Sequence, residues 1–260
     1  MKLQKWVGRG AAAVATWAVC TWAGPSEAAE ARIEAPSSRV TNLFSLSLAQ
    51  DLGLHVGTNP CAMRNQIEGG FACFRASGTQ YHGAPLPDPA GDIRAFPGLA
   101  TTRLLGGYDR ILSGNVTLGI RLGWVLRGGG PRPDGAEGPS FLPFHGEARV
   151  GYTFGRDPFQ HEGLRFLLFT CGGIAQVDTK YRLVVTEDLQ KPPPAGQLDN
   201  PPVQELAVYR KSGTAFFGGG ASLAYAISRR FGVSVGAKVM RMFPSNGTAV
   251  SLELGGTAAF

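Results

Sequence analysis

The chain has 260 residues, 37 of them glycine, and only 17% are charged, below the roughly 25% of ordinary soluble proteins. A formal charge of +6 is too modest to indicate nucleic acid as a partner. No run approaches the roughly 18 apolar residues a membrane-spanning helix needs, which excludes helical anchoring.

The first segment reads as a secretory leader. Lys2, Lys5 and Arg9 form a positive start, Ala11 to Ala23 a short apolar run, and small residues follow Pro25. Cleavage after Ala28 or Ala31 satisfies the small-x-small rule, so residues 1–31 are expected to be a signal peptide. Cys20 follows the bulky Val19 and the apolar run continues past it, which argues against lipidation. Residues 32–260 are expected to form one β-barrel domain.

Period-2 alternation marks eight strands, near 41–54, 99–112, 115–127, 144–155, 163–177, 212–228, 230–243 and 248–260. In 115–127 one face carries Leu118, Ile120, Leu122 and Trp124, and the other carries Thr117, Gly119, Arg121 and Gly123. In 144–155, Ala148, Val150, Tyr152 and Phe154 oppose His145, Glu147, Arg149 and Gly151. In 230–243, Phe231, Val233, Val235 and Val239 oppose Gly232, Ser234, Gly236 and Lys238. The segment 163–177 is apolar on both faces, so its orientation stays open. Most of these strands are long enough to cross a membrane when tilted, which takes about 9–11 residues.

The connections sort by length. Of the odd-numbered connections, those near 55–98, 128–143 and 178–211 are long and 244–247 is short, whereas the even-numbered Ser113–Gly114, 156–162 and Ser228–Arg229 are all short. With a periplasmic mature N-terminus, the long ones alternate onto the cell exterior and both termini face the periplasm, the asymmetry of outer-membrane barrels. An even strand count lets the first and last strands pair and satisfies every backbone group in lipid.

With its leader, eight alternating strands, asymmetric loops and terminal run from Val250 to Phe260, the chain resembles the small OmpA/OmpX-like outer-membrane β-barrels over essentially its whole mature length. The resemblance implies an all-β, eight-stranded antiparallel up-and-down transmembrane barrel, monomeric, in the outer membrane. It also implies that the barrel-assembly machinery reads Phe260 as part of its signal. The chain stops at its last strand, so an envelope-tethering domain is not expected.

The interior of so narrow a barrel is just wide enough for side chains to fill. Alternation places Arg103, Asp109, Arg121, Glu147, Arg149, Lys238 and Glu253 on the inward faces. Lys238 with Glu253, and Arg121 with Glu147, fall on adjacent strands near mid-depth. Buried charge must be paired or hydrated, which predicts a salt-bridged, largely plugged lumen. The alternative is a narrow channel for ions or small solutes.

Cys61 and Cys73 share the first long loop in an oxidising location and are expected to form a disulfide. Zinc is the weaker reading, because the eleven-residue gap and the absence of paired His give no standard ligand spacing. Cys171 reads as a small packing residue. Some eight-stranded barrels modify lipid, but His55 and His82 fall in a loop, His161 in a turn, and His145 reads as a polar rim residue. No nucleophile elbow, phosphate loop or metal-binding cluster appears, so no catalysis and no cofactor are expected. Gly128-Gly129-Gly130-Pro131 is loop punctuation.

Function is therefore expected in the exposed loops. An extracellular partner would meet 55–98 and 178–211, the latter Pro-rich at Lys191–Pro194 and Asn200–Pro202 and so extended. Outer-membrane lipid and lipopolysaccharide are the expected surroundings, and solvated connections are the plainer reading of the loops. A soluble lipocalin-type barrel would instead turn Leu118, Leu122, Val233 and Leu252 into its lumen.

Overall fold

A computed structural model describes residues 40–94, 97–131, 134, 141–191 and 202–260. The leader, its cleavage sites and Cys20 lie outside the described residues, as does 192–201 of the Pro-rich stretch.

Eleven strands follow in chain order among the described residues. They are β1 (Asn42–Leu54), β2 (Phe71–Phe74), β3 (Gly98–Ser113), β4 (Val116–Arg127), β5 (Phe144–Thr153), β6 (Gly163–Ala175), β7 (Asp178–Thr186), β8 (Val203–Lys211), β9 (Ala215–Ala226), β10 (Phe231–Phe243) and β11 (Thr248–Ala259). Eight of them close an antiparallel barrel in the order β1-β11-β10-β9-β6-β5-β4-β3. β1 pairs with β11 on one side (Ala49 opposite Glu253) and with β3 on the other (Ala49 opposite Arg103), so the sheet has no free edge. All eight expected strands are present.

The alternation decides which way each strand faces. Leu118, Leu122, Val233 and Leu252 are 48%, 53%, 47% and 48% exposed on the outer wall, which overturns the lipocalin-type alternative. On β6 the ambiguity is resolved: Leu164, Phe166 and Leu168 face outward, while Phe169, Cys171 and Ala175 are buried. Both faces are apolar because the lumen at this level is itself apolar. Phe169, Cys171, Ala175, Val177, Phe216, Met240, Met242 and Ala249 pack there as one cluster.

The connections 55–98 and 178–211 are not the solvated links that the plainer reading expected. β2, β8 and β7 form a second, three-stranded sheet at the loop end of the barrel. β7 and β8 prolong the β6–β9 hairpin, since Ser212 N–H donates to the Val177 carbonyl and Ala175 N–H to the Thr214 carbonyl, both at 2.9 Å. The hairpin breaks at Gly213, whose φ of 126° suits glycine because no Cβ has to fit. A Cβ there would stand 2.6 Å from the Phe243 carbonyl oxygen. β6 and β9 consequently occupy 163–175 and 215–226, and the remainder of the expected 163–177 and 212–228 belongs to the bend or to turns.

Alternation holds the second sheet together as well. Leu183 and Val185 on β7, Leu206 and Val208 on β8, and Phe71 and Cys73 on β2 bury one face against Cys61, Tyr81 and Ile93. Tyr81 donates its hydroxyl to Glu187 at 2.5 Å, and the second Glu187 oxygen accepts Ala84 N–H at 2.6 Å. The loops therefore carry a core of their own, in which the buried Glu187 carboxylate is bonded through both oxygens.

Candidate functional site

The inward positions of the barrel strands converge on a charged lumen. On β5 these are His145, Glu147 and Arg149; on β10, Lys238; on β11, Glu253; on β3 and β4, Arg103, Asp109 and Arg121. All of them except Glu253 are buried, and the Glu253 side chain is only 13% exposed.

Four of them form one connected group. Glu147 accepts from Lys238 Nζ at 2.6 Å and pairs with Arg149 at 2.8 Å. Glu253 pairs with Lys238 at 2.7 Å and with Arg149 at 3.3 Å. β5 and β10 are separated by β6 and β9 in the barrel order, so these bridges cross the lumen instead of running along its wall. Two carboxylates meet two cations, leaving the quartet formally neutral.

Two further pairs flank it. Arg121 donates to Asp109 at 2.7 Å and Arg103 to Asp51 at 2.7 Å. Arg121 stands opposite Glu147 in the β4–β5 ladder, yet its guanidinium turns toward β3. Gly107 and Gly119 make that possible, since a Cβ at either position would overlap the Arg121 or Asp109 side chain. Arg103 also donates to Thr101 Oγ1 and to the Gln176 carbonyl, which ties the barrel to the base of the second sheet.

Asp51 and His145 are members that the sequence reading did not assign. Asp51 continues the inward series Ser45, Ser47, Ala49 on β1, so its position was available from the alternation. His145 is not a rim residue: it is 1% exposed, lies 3.3 Å from Glu147 and stacks at 5.6 Å on Phe216. Glu147 and Phe216, both on barrel strands, enclose the ring inside the lumen.

Below the quartet, toward the turn end, lies a cavity of about 100 Å³. Ser45, Ser47, Ser222, Ser234 and Thr257 line it, and the Asp109–Arg121 and Arg149–Glu253 pairs form its inner wall. Arg149 also sits 4.0 Å over the Phe169 ring, joining the charged group to the apolar cluster.

The other predicted positions lie apart from this group. Cys61 and Cys73 are bonded to each other, with Cα atoms 5.6 Å apart, inside the core of the second sheet. Cys171 is buried and unbonded within the lumen's apolar cluster. Phe260 closes the barrel seam: its carbonyl accepts from Thr41 and Asn42 at 2.9 and 3.1 Å, and its ring meets Phe44 at 5.8 Å. Of the remaining histidines, His55 contacts Ser212 Oγ at 2.8 Å beneath the second sheet, where burial, then the Arg210 charge, lowers it to about 4. His82 reaches Asp134 at 3.1 Å, and His161 lends its carbonyl to Arg165.

No protein-family model and no curated protein matches the chain. Among solved structures it is similar to Neisserial surface protein A, at 12% identity over 84% of this chain and 97% of that one, with a TM-score of 0.40. It is also similar to Ail, the attachment invasion locus protein of Yersinia pestis, at 10% identity, 85% and 99% coverage and a TM-score of 0.39. The outer membrane protease OmpT from Escherichia coli matches at 9% identity, 86% and 98% coverage and a TM-score of 0.33. The strand pairing of the chain itself is what establishes the closed eight-stranded barrel.

Proposed function

We propose that this chain is an integral outer-membrane barrel whose lumen is closed by its own charges and whose biological contacts are made by the folded sheet at the loop end. The observation that carries this is the inversion of the barrel: leucines, valines and aromatics outside, ion pairs inside. A band of exposed Leu46, Leu48, Leu104, Ile120, Trp124, Val235 and Leu254 is far larger than water tolerates on a monomer and suits lipid. The long connections then face the cell exterior, and both barrel termini, which lie at the turn end, face the periplasm. Phe260 at the seam is the position the assembly machinery would read.

A closed lumen is supported by the neutral quartet spanning the barrel and by the apolar cluster packed beside it. We assign no catalytic group, because His145 is engaged with Glu147 inside the lumen and His55 is buried against Ser212. The narrow channel remains the second reading, favoured by the cavity that enters from the turn end as far as the quartet.

Conductance of the refolded mature protein in a planar bilayer, beside Glu253→Ala, tests both. An inserted but silent protein supports the closed barrel. Discrete steps that change with Glu253→Ala replace it with a pore. A protein that folds and stays soluble without detergent removes the membrane assignment altogether.

A further inference from the structure

The second sheet buries one face and leaves the other open. On the open face lie two grooves of about 370 and 360 Å³ that share Lys180, Arg182 and Tyr209. The first sits where the sheet meets the outer wall of the barrel, and there Arg127 and Leu99 join the lining. Among the described residues Asp178 is the one carboxylate that lines it, and both its oxygens accept from Gln176 Nε2, at 3.0 and 2.9 Å. Neither Arg127 nor Lys180 has a carboxylate partner among the described residues. Lys180 stands 5.6 Å over the Tyr209 ring, and Arg182 meets the exposed Glu205 only at 3.9 Å.

The wall beneath this groove changes character within two residues. Gln50 and Thr102 bond to each other at 2.7 Å, and Thr102 stands opposite Arg127. One step further toward the turn end on that face, Leu48 stands opposite Leu104, and Leu104 opposite Trp124. Two residues along a strand span roughly 7 Å. Arg127 therefore stands about one headgroup's depth from the apolar band, and Lys180 and Arg182 line the same groove.

We propose that this groove seats the phosphate-bearing headgroup of an anionic lipid from the surrounding leaflet, with an acyl chain against Leu48, Leu104 and Trp124. The proposal rests on the membrane assignment above. Arg127 and Arg182 supply forked donors and Lys180 a point charge, the donor types that recognise phosphate. Tyr209, beside them, offers an amphipathic ring suited to the interface.

The test is native mass spectrometry of the refolded mature barrel in neutral detergent, titrated separately with lipid A, phosphatidylcholine, inorganic phosphate and a sulfated disaccharide. Lipid A should be retained at least tenfold better than phosphatidylcholine. A Lys180→Gln/Arg182→Gln double variant should lose roughly thirtyfold, counting each cation at the ordinary contribution of a basic residue near an anionic membrane surface. Arg64→Gln, whose side chain pairs with Glu68 and lines neither groove, should change nothing. Equal retention of the two lipids, or no loss in the double variant, overturns the proposal. Phosphate or disaccharide binding as tight as lipid A overturns it too, giving the groove to a soluble anion. Heat-dependent gel mobility monitors folding throughout. A chain that folds without detergent defeats the membrane assignment and the lipid seat together, whereas one that folds only in detergent and shows no lipid preference defeats the lipid seat alone.

Discussion

Glu147 on β5 and Lys238 on β10 meet at 2.6 Å in the interior of the barrel, although 91 positions separate them in the chain. Neither strand borders the other, so the bridge exists only because the sheet closes. Both side chains are also held by Arg149 and Glu253, which makes the four a single electrostatic unit.

Removing one member should therefore cost more than removing a matched pair. Glu147→Ala leaves Lys238 and Arg149 short of a counter-charge, and breaking a buried pair typically costs about 3–5 kcal/mol. Glu147→Leu/Lys238→Met should cost less than the sum of its single changes. Urea unfolding in lipid vesicles measures both, and additive costs would mean that the two residues act independently.

Gly119 should tolerate no side chain. A Cβ there overlaps the Asp109 carboxylate, so Gly119→Ala should push Asp109 off Arg121 and destabilise by about 1–3 kcal/mol, the usual range for overpacking. Gly114→Ala, where the nearest atom is 3.9 Å away, serves as the control in the same unfolding assay. Equal effects at the two sites would contradict the crowding.

The disulfide should stabilise the second sheet and leave the barrel unaffected. Its Cys61–Cys73 ring closes a short segment, for which loss of the bond costs roughly 2–4 kcal/mol. Cys61→Ser/Cys73→Ser should speed protease cleavage between 55 and 98 while the barrel's heat-dependent gel mobility stays unchanged. Collapse of the whole molecule would show that the two sheets do not unfold separately.

Acid should act on the second sheet through two opposed groups. Burial, then Arg210, lowers His55 to about 4, and burial raises Asp178 to about 6. Between pH 6.5 and 4 the unfolded chain takes up a proton at His55 that the folded sheet refuses, so this term weakens the fold as pH falls. Between pH 6 and 3.8 the folded sheet holds a proton on Asp178 that the unfolded chain releases, so this term weakens the fold as pH rises. Each acts at up to about 1.4 kcal/mol per pH unit, and in the wild type they largely offset. Asp178→Asn should expose loss of protease resistance from pH 6.5 down to 4, and His55→Gln a gain over the same descent. Superimposable profiles for all three proteins would sink this account.

The outer wall should reject charge according to depth. Leu122→Arg, in the middle of β4, should cost about 2–4 kcal/mol in a bilayer, whereas Leu86→Arg, exposed in the loop region, should be close to neutral. If the two substitutions refold equally well in vesicles, the apolar band does not face lipid.

The barrel was legible in the sequence because a two-residue period is a local signal. Every strand from 41–54 to 248–260 except 163–177 states its own faces, and loop lengths order them without any tertiary information. The same period also put Arg103, Asp109, Arg121, Glu147, Arg149, Lys238 and Glu253 on inward positions. It reaches Leu183, Val185, Leu206 and Val208 as well, but the prolines between those two segments led to a reading of extended connections. β6 stayed ambiguous because an apolar strand facing an apolar lumen shows no contrast. What the sequence could not settle was pairing: Arg121 turns to Asp109 and away from Glu147, and His145 lies buried against Glu147 and Phe216. Such choices depend on closure of the sheet, on room left by glycines on neighbouring strands, and on distances across a lumen. Alternation along one strand fixes a side chain's direction; only the closed tertiary structure decides what it meets there.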